Sequence, residues 1–320
     1  MSKIRVGVLR GGPSSEYEVS LNSGNAVLSH LPPDIYDVRD FFIDKKGSWH
    51  FKGVEREPSD LMDHMDVAFI ALHGEFGEDG GVQRLLDRFG VPYTGSKAFE
   101  SAITMNKAET KNRVRQLGVK MPRDRIVGVG IDTHEQIRDV MRSLSFPMIV
   151  KPVRAGSSVG MSFVRDPDEL LEGIRKAFAI SSRVLIEEYI EGREATCGVI
   201  EQFRGEPLYS LLPIEIIPQN DTRLFDYEAK YSGTTKEVCP ANFSSDTSRE
   251  LERLAKDIHR KLGLRHYSRS DFIVAPDGVY FLETNTLPGL TEESLLPRSI
   301  KAVGSSLPEF LDHVVTLARK

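Results

Sequence analysis

DFIVAPDGVYFLETN, residues 271–285, reads as a β-hairpin that carries a ligand face. Phe272 to Ala275 and Val279 to Leu282 are apolar, β-prone runs joined by Pro276-Asp277-Gly278. Pro, Asp and Gly in that order suit a three-residue hairpin loop with Gly in the left-handed slot. That register pairs Ala275 with Val279 and, counting outward, sets Asp271 opposite Glu283. Asn285, two residues on, falls on the same face. Cross-strand Cβ atoms lie about 5 Å apart, so two carboxylates and an amide oxygen converge with no basic residue inside the segment. Hard oxygen donors suit Mg²⁺, which takes few carboxylates and completes its shell with substrate phosphates. A solvated hairpin with alternating acids gives the same pattern, so the rest of the chain has to decide.

The chain has 320 residues, enough for two or three domains, and its 40% hydrophobic and 28% charged content is that of an ordinary globular protein. A net charge of −5 argues against a nucleic-acid partner. The apolar run Val67 to Leu72 is far short of the roughly 20 residues that span a bilayer, so no membrane partner is expected. KIRVGVL runs straight into a Gly-Gly turn without a signal-peptide pattern. Cys197 and Cys239 form no CxxC pair, and a reducing cytoplasm is the expected location.

The first ninety or so residues alternate strand and helix patterns: strands at Ile4–Leu9, Asp37–Ile43 and Val67–Leu72, helices at Val19–Leu31 and Val82–Phe89. This is the grammar of a parallel sheet with function at the carboxyl ends of its strands. The spacing next predicts helices at Lys97–Leu117, Thr133–Leu144 and Pro167–Ala179, with strands at Met148–Lys151, Met161–Val164 and Val184–Glu187. Beyond Ile190 it predicts strands at Ala195–Ile200 and Leu208–Ile217, a polar loop at Gln219–Ser245, a helix at Asp246–Leu262, the hairpin and two final helices.

Two further stretches point to a nucleotide. KPVRAGSSVGM (151–161) follows the strand-like FPMIV, so a strand-end Lys151 meets a Gly/Ser-rich loop whose N–H groups can wrap phosphates. The lysine precedes the glycines, which excludes a Walker A motif. VLIEEYIEGREAT (184–196) is an apolar strand running into Glu187-Glu188-Tyr189-Ile190, a hinge whose backbone edge can pair an adenine, with Glu194 placed for ribose hydroxyls. Gly11-Gly12 is followed by Pro13-Ser14-Ser15, so the GxGxxG spacing of a dinucleotide fold is absent.

In order along the chain, GGPSSEYEVSLNSG (11–24), LHGEFGEDG (72–80), MNK (105–107), the 151–161 loop, IEEYIEGRE (186–194), FDYEAKYSG (225–233), RSDF (269–272), LETNTLPGLT (282–291) and ESLLP (293–297) resemble the D-alanine–D-alanine ligases of the ATP-grasp superfamily. The resemblance covers essentially the whole chain. It implies an α/β, three-domain ATP-grasp fold: an N-terminal Rossmann-like domain (1–95), a central subdomain with the glycine-rich loop (96–189) and a C-terminal subdomain with the polar loop and metal hairpin (190–320). It implies ATP and two Mg²⁺ (or Mn²⁺) as cofactors, D-alanine as the small-molecule substrate, and a homodimer formed through the N-terminal domain.

The resemblance also assigns roles. Glu16 matches the glutamate that holds the first substrate's ammonium, linked to Ser157 and Tyr231. His73 matches the histidine near that substrate's carboxylate. Arg269 and the Gly289 N–H match the oxyanion pair, and Lys230, Ser294 and Leu295 match the second substrate's carboxylate site. Lys107, Lys151 and Ser158 match the ATP phosphate groups, Glu187, Glu188, Tyr189 and Ile190 the adenine hinge, and Glu194 the ribose acceptor. Asp271, Glu283 and Asn285 match the metal ligands. Two departures stand out: Arg154-Ala155-Gly156 where relatives often read REG, and Glu292-Glu293, two charges expected to weaken binding of a second carboxylate substrate. A ligase with another acceptor (D-lactate, D-serine or another amino acid) and a non-catalytic nucleotide-binding protein are the competing readings.

Overall fold

In a computed structural model of the chain, the structure describes residues 3–130, 133–156, 159–218 and 235–320. Ser157, Ser158, Lys230 and Tyr231, with much of both expected loops, lie outside the described residues.

Three sheets organise the molecule. The first has the order β4-β3-β2-β1-β5, where β1 is Ile4–Gly11, β2 Tyr36–Ile43, β3 Trp49–Phe51, β4 Val54–Arg56 and β5 Val67–Ile70. β1 runs parallel to both β2 and β5. The hairpin β3–β4 escaped the sequence reading because each strand is three residues long. Its turn is set by Lys52 and Gly53, both at positive φ (51° and 75°), the geometry that two-residue hairpins favour.

The second sheet is antiparallel, order β6-β9-β7-β8, with β6 Asp124–Gly128, β7 Met148–Pro152, β8 Ser162–Val164 and β9 Arg183–Glu188. The third joins β10 (Arg193–Phe203), β11 (Glu206–Ser210), β12 (Ile214–Pro218), β13 (Thr235–Val238), β14 (Tyr267–Ala275) and β15 (Gly278–Asn285). Leu208–Ile217 is therefore two strands. Both pair with β10, but Pro213 has no N–H to give and the ladder breaks at 211–213.

Helices α1 (Tyr17–His30), α2 (Pro58–Leu61), α3 (Gly81–Phe89), α4 (Ala98–Met105), α5 (Lys107–Arg115), α6 (Thr133–Ser143), α7 (Pro167–Phe178), α8 (Ser245–Leu262), α9 (Leu295–Ala302) and α10 (Leu307–Ala318), with a 3₁₀ turn at Met62–His64, complete the described elements. The single helix expected over 97–117 is broken at Asn106, whose backbone is extended (φ −89°, ψ 96°) and whose side chain accepts from Glu109 N–H at 3.2 Å. Asparagine is a favoured N-cap because its oxygen satisfies such an orphan donor. The break starts α5 at Lys107, whose N–H bonds the Val153 carbonyl at 3.0 Å.

One apolar core runs from Val6, Val8 and Phe69 in the first sheet through Tyr267 and Leu287 to Phe310 and Val314. α10 thus returns the chain's end to α1 and β5. A capping box, Ser306 with Glu309, fixes where that helix begins. Among the described residues, no helix is long and apolar enough to cross a membrane.

Candidate active site

A cleft of about 300 Å³ opens between the second and third sheets, lined from β7, β9, β10, β12, β14 and β15. Its floor is a buried charge cluster. Lys151 Nζ stands 2.5 Å from Glu187 Oε2, and Glu187 Oε1 bonds the fully buried Lys111. Lys111 also donates to the Pro122 carbonyl at 3.0 Å and pairs with Asp124 at 3.1 Å. Burial alone drives the Glu187 carboxyl up, but Lys151 and Lys111 outweigh it and hold it below the ordinary value. Burial likewise disfavours the Lys151 charge, and Glu187 and Glu283 more than offset it, so its pKa is raised. A lysine kept charged in the floor of the cleft has the chemistry to hold an anionic group there.

Glu187, Glu188, Tyr189 and Ile190 all border this cleft, at the end of β9. Glu188 turns aside to accept from Arg123 N–H (2.8 Å) and Nε (2.7 Å). Tyr189 sets its ring edge-on to Phe163 at 5.1 Å between centroids. Glu194 lies on β10 across the cleft.

Asp271 does face Glu283, by a different route from the expected one. The turn holds two residues, Pro276 and Asp277, because Ala275 pairs with Gly278 and Val274 with Val279. A β-bulge between Asp271 and Phe272 then restores the Asp271–Glu283 pairing and sets Asn285 opposite Arg269. The turn positions the Gly278 backbone at φ 138°, which glycine alone tolerates readily.

Cations surround this face. Arg269 clamps Asp271 with two bonds, Nε to Oδ1 at 2.9 Å and Nη2 to Oδ2 at 3.0 Å. Asn285 Nδ2 also donates to Asp271 Oδ2 (3.0 Å), and Lys107 Nζ lies 3.3 Å from Glu283. Burial disfavours the Arg269 charge, but Asp271 and Glu283 raise its pKa further. No group of three or more His, Cys, Asp and Glu side chains gathers as a metal site among the described residues; the donor set is two carboxylates and one amide. Such a set fits a hard divalent cation that takes its remaining ligands from phosphates and water.

A second group of residues forms around the turns that leave β1 and β5. Glu16 is buried against two glycines: a Cβ on Gly156 would come 2.1 Å from its Oε2, and one on Gly74 would come 2.7 Å from it. The glycine loop therefore packs directly on Glu16, and a side chain at position 156 would displace that carboxylate. His73 is buried with Nε2 2.7 Å from Ser23 Oγ. Burial depresses its pKa to about 4, with Arg269 acting in the same sense and a Leu287 backbone hydrogen bond opposing. Glu78 accepts from Gly74 N–H at 2.8 Å and Leu287 N–H at 3.2 Å. Burial and the nearby Glu16 carboxylate push its pKa up.

Gly289 packs so closely on Ser294 that a Cβ would stand 2.8 Å from its Oγ. Ser294 is the N-cap residue of α9, shares a 2.8 Å hydroxyl bond with Thr291, and precedes the buried Leu295. The charges expected to trouble this end of the site, Glu292 and Glu293, are both exposed. Glu293 is 85% exposed and bonds Arg298, which also reaches Glu237 at 3.2 Å.

Sequence reasoning missed Lys111, Ser23 and Glu78. Lys111 had a signal, since it lies four residues after Lys107 and so on the same helix face. Glu78 sits inside the LHGEFGEDG stretch and has a local partner in the Gly74 N–H, but its other partner, the Leu287 N–H, is 209 residues away, and Ser23 shows nothing locally.

Comparisons with known proteins agree with this geometry. The family described as D-ala D-ala ligase C-terminus matches residues 125–316, and D-ala D-ala ligase N-terminus matches 5–61 and 52–96. The chain is 37% identical over 321 residues to the D-alanine--D-alanine ligase of Syntrophobacter fumaroxidans, covering 99% of this chain and 98% of that one. Its fold is similar to that of the VanG D-Ala:D-Ser ligase from Enterococcus faecalis, with a TM-score of 0.87, 28% identity and coverage of 99% and 100%. It is also similar to the D-alanine-D-alanine ligase from Coxiella burnetii, with a TM-score of 0.84, 26% identity and coverage of 100% and 94%.

Proposed function

The chain belongs to the D-alanine–D-alanine ligase family, and from that premise we propose how its residues divide the work. The enzyme joins two D-alanines at the expense of ATP, forming ADP and the D-alanyl-D-alanine of peptidoglycan precursors. The observation that carries the reading is the convergence on one cleft of Lys107, Lys151, Arg269, Asp271 and Glu283.

Lys151 and Lys107 hold the ATP phosphates, the adenine lies along Glu187 to Ile190, and Glu194 takes the ribose. Asp271, Glu283 and Asn285 would hold two Mg²⁺ (or Mn²⁺). When bound, Mg²⁺ neutralises the phosphates and so favours phosphoryl transfer. Glu16 binds the ammonium of the first D-alanine, with Ser157 and Tyr231 completing that contact, and His73 lies by its carboxylate. That carboxylate attacks the γ-phosphorus, ADP leaves, and an acyl phosphate forms. The neutral amine of the second D-alanine adds to the acyl carbon. Arg269 and the Gly289 N–H stabilise the developing oxyanion, and phosphate departs as the amide forms. Lys230, Ser294 and Leu295 hold the second carboxylate, and Ser158 assists at the phosphates. A glycine loop that closes on Glu16 keeps water from the acyl phosphate.

We further assign a domain division at about residues 95 and 189, which separates the three sheets, and a cytoplasmic homodimer formed through the N-terminal domain, with small molecules as the other partners. The test is ATP-dependent phosphate release with D- and L-amino acids in pairs at pH 7. D-alanine as both donor and acceptor should give the highest kcat/KM. The likeness to a D-Ala:D-Ser ligase makes D-serine the competing acceptor. If D-serine or D-lactate wins, the acceptor assignment fails; if no D-amino acid releases phosphate, the ligase assignment fails.

A further inference from the structure

Residues 286–294 link β15 to α9 and carry both Gly289 and Ser294. Two of their backbone N–H groups end on side chains from the far side of the molecule. Leu287 N–H donates to Glu78 Oε1 at 3.2 Å, across 209 residues of chain, and Leu290 N–H donates to Ser23 Oγ at 3.2 Å, across 267. Both acceptors are tied to the same short turn. Glu78 Oε2 takes the Gly74 N–H at 2.8 Å, and Ser23 Oγ lies 2.7 Å from His73 Nε2. Gly289 therefore lies between two anchored residues, Leu287 and Leu290, both held to the turn at His73-Gly74.

We propose that Glu78 and Ser23 are positioning residues: a two-point clamp that aims the Gly289 N–H at the reacting carboxyl and keeps it in register with His73. The proposal rests on the assignment of Gly289 as an oxyanion donor. Three features of the chain support a positioning role over simple cohesion. The clamped segment has no sheet partner of its own, so its N–H groups need acceptors from elsewhere. The clamp is made to backbone N–H groups that flank the donor, so it fixes the direction of the intervening peptide planes. A single misaimed donor is costly, because oxyanion donors act over a narrow range of distance, and losing one outright slows catalysis by roughly 10² to 10³-fold.

Ser23→Ala and Glu78→Gln test it. Ser23→Ala removes one acceptor; Glu78→Gln presents an amide NH₂ to one of two N–H groups that a carboxylate can serve together. Each should lower kcat by about 10 to 100-fold. The KM for ATP and ADP affinity should stay within about threefold. Affinity for a phosphinate mimic of the tetrahedral intermediate should fall in step with kcat. Unchanged kcat in both folded variants overturns the clamp, whatever happens to their Tm. So does a loss shared equally by ADP and the phosphinate, which marks a merely structural role. Should Glu78→Gln fail to fold, Ser23→Ala decides alone. Amide exchange at Leu287 and Leu290 in the unaltered protein gives a separate check, since rates of unprotected amides overturn the clamp without any variant. Arg269→Ala probes the underlying reading separately: full activity in that variant sinks the oxyanion pair on which the clamp rests.

Discussion

Glu187 holds two lysines at once, Lys151 at 2.5 Å through one carboxylate oxygen and the fully buried Lys111 through the other. One acid thus fixes the position of the Lys151 ammonium in the cleft floor. Glu187→Gln leaves two like charges buried without their shared partner, and breaking such a set costs about 3–5 kcal/mol. Lys111→Met keeps the Glu187–Lys151 pair and should cost about 1–3 kcal/mol, the penalty of unsatisfied buried acceptors. Urea unfolding should rank the two in that order, and both should raise the ATP KM. A Lys111→Met protein with unaltered stability and ATP KM contradicts the shared-partner account.

Glu283→Gln should reduce turnover by more than the roughly 10 to 100-fold that an outer-shell partner of a metal is worth. The amide is close in shape but carries no charge to balance a divalent cation, or Lys107 at 3.3 Å. Tm should move little, because Glu283 is partly exposed. Mg²⁺-dependent strengthening of ADP binding, measured by calorimetry, should be lost; its retention would falsify the ligand assignment.

Two buried histidines should make the fold weaken in mild acid. Burial depresses His73 to about 4, and burial with the Arg265 charge depresses His266 to about 4, against Glu201. Unfolded, each takes a proton near pH 6.5. The unfolded state therefore binds more protons below that pH, so stability is complete above about 6.5 and is lost as pH falls toward 4. The limit is on the order of 3 kcal/mol per histidine. His266 sits at φ 63°, a conformation asparagine accepts, so His266→Asn is the variant to use. Its unfolding free energy should fall less between pH 7.5 and 5 than that of the unaltered protein, and an equal fall refutes the assignment.

Glu293→Gln should leave the second D-alanine's KM within about twofold. The side chain is 85% exposed and paired with Arg298, and exposed ion pairs contribute roughly 0–1 kcal/mol. A large drop in KM on removing the charge would mean that Glu293 faces the acceptor after all.

Much of this was legible in the chain. The parallel strands of the first sheet, the lysine before the glycine loop and the acids of the hairpin all have patterns that local propensity and period reveal. The Asp271–Glu283 pairing was read correctly by an incorrect path, since a two-residue turn and a bulge together give the pairing expected of a three-residue loop. The break at Asn106 was hidden because helix periodicity continues on both sides of it. The strands β3, β4 and β6 were too short or too charged to stand out.

By itself the sequence determined which groups exist and which lie on one face of a strand or helix, because those relations follow from backbone periods of 2 and 3.6 residues. That was sufficient for the family. Only the tertiary structure decided which distant groups share a dry environment. Lys111 under Glu187, Glu16 against Gly156, and Ser23 and Glu78 on the backbone beside Gly289 are contacts across 76, 140, 267 and 209 residues. Their energies come from burial, where an unpaired charge or N–H is costly. Burial belongs to the packed sheets and cannot be read from any one segment.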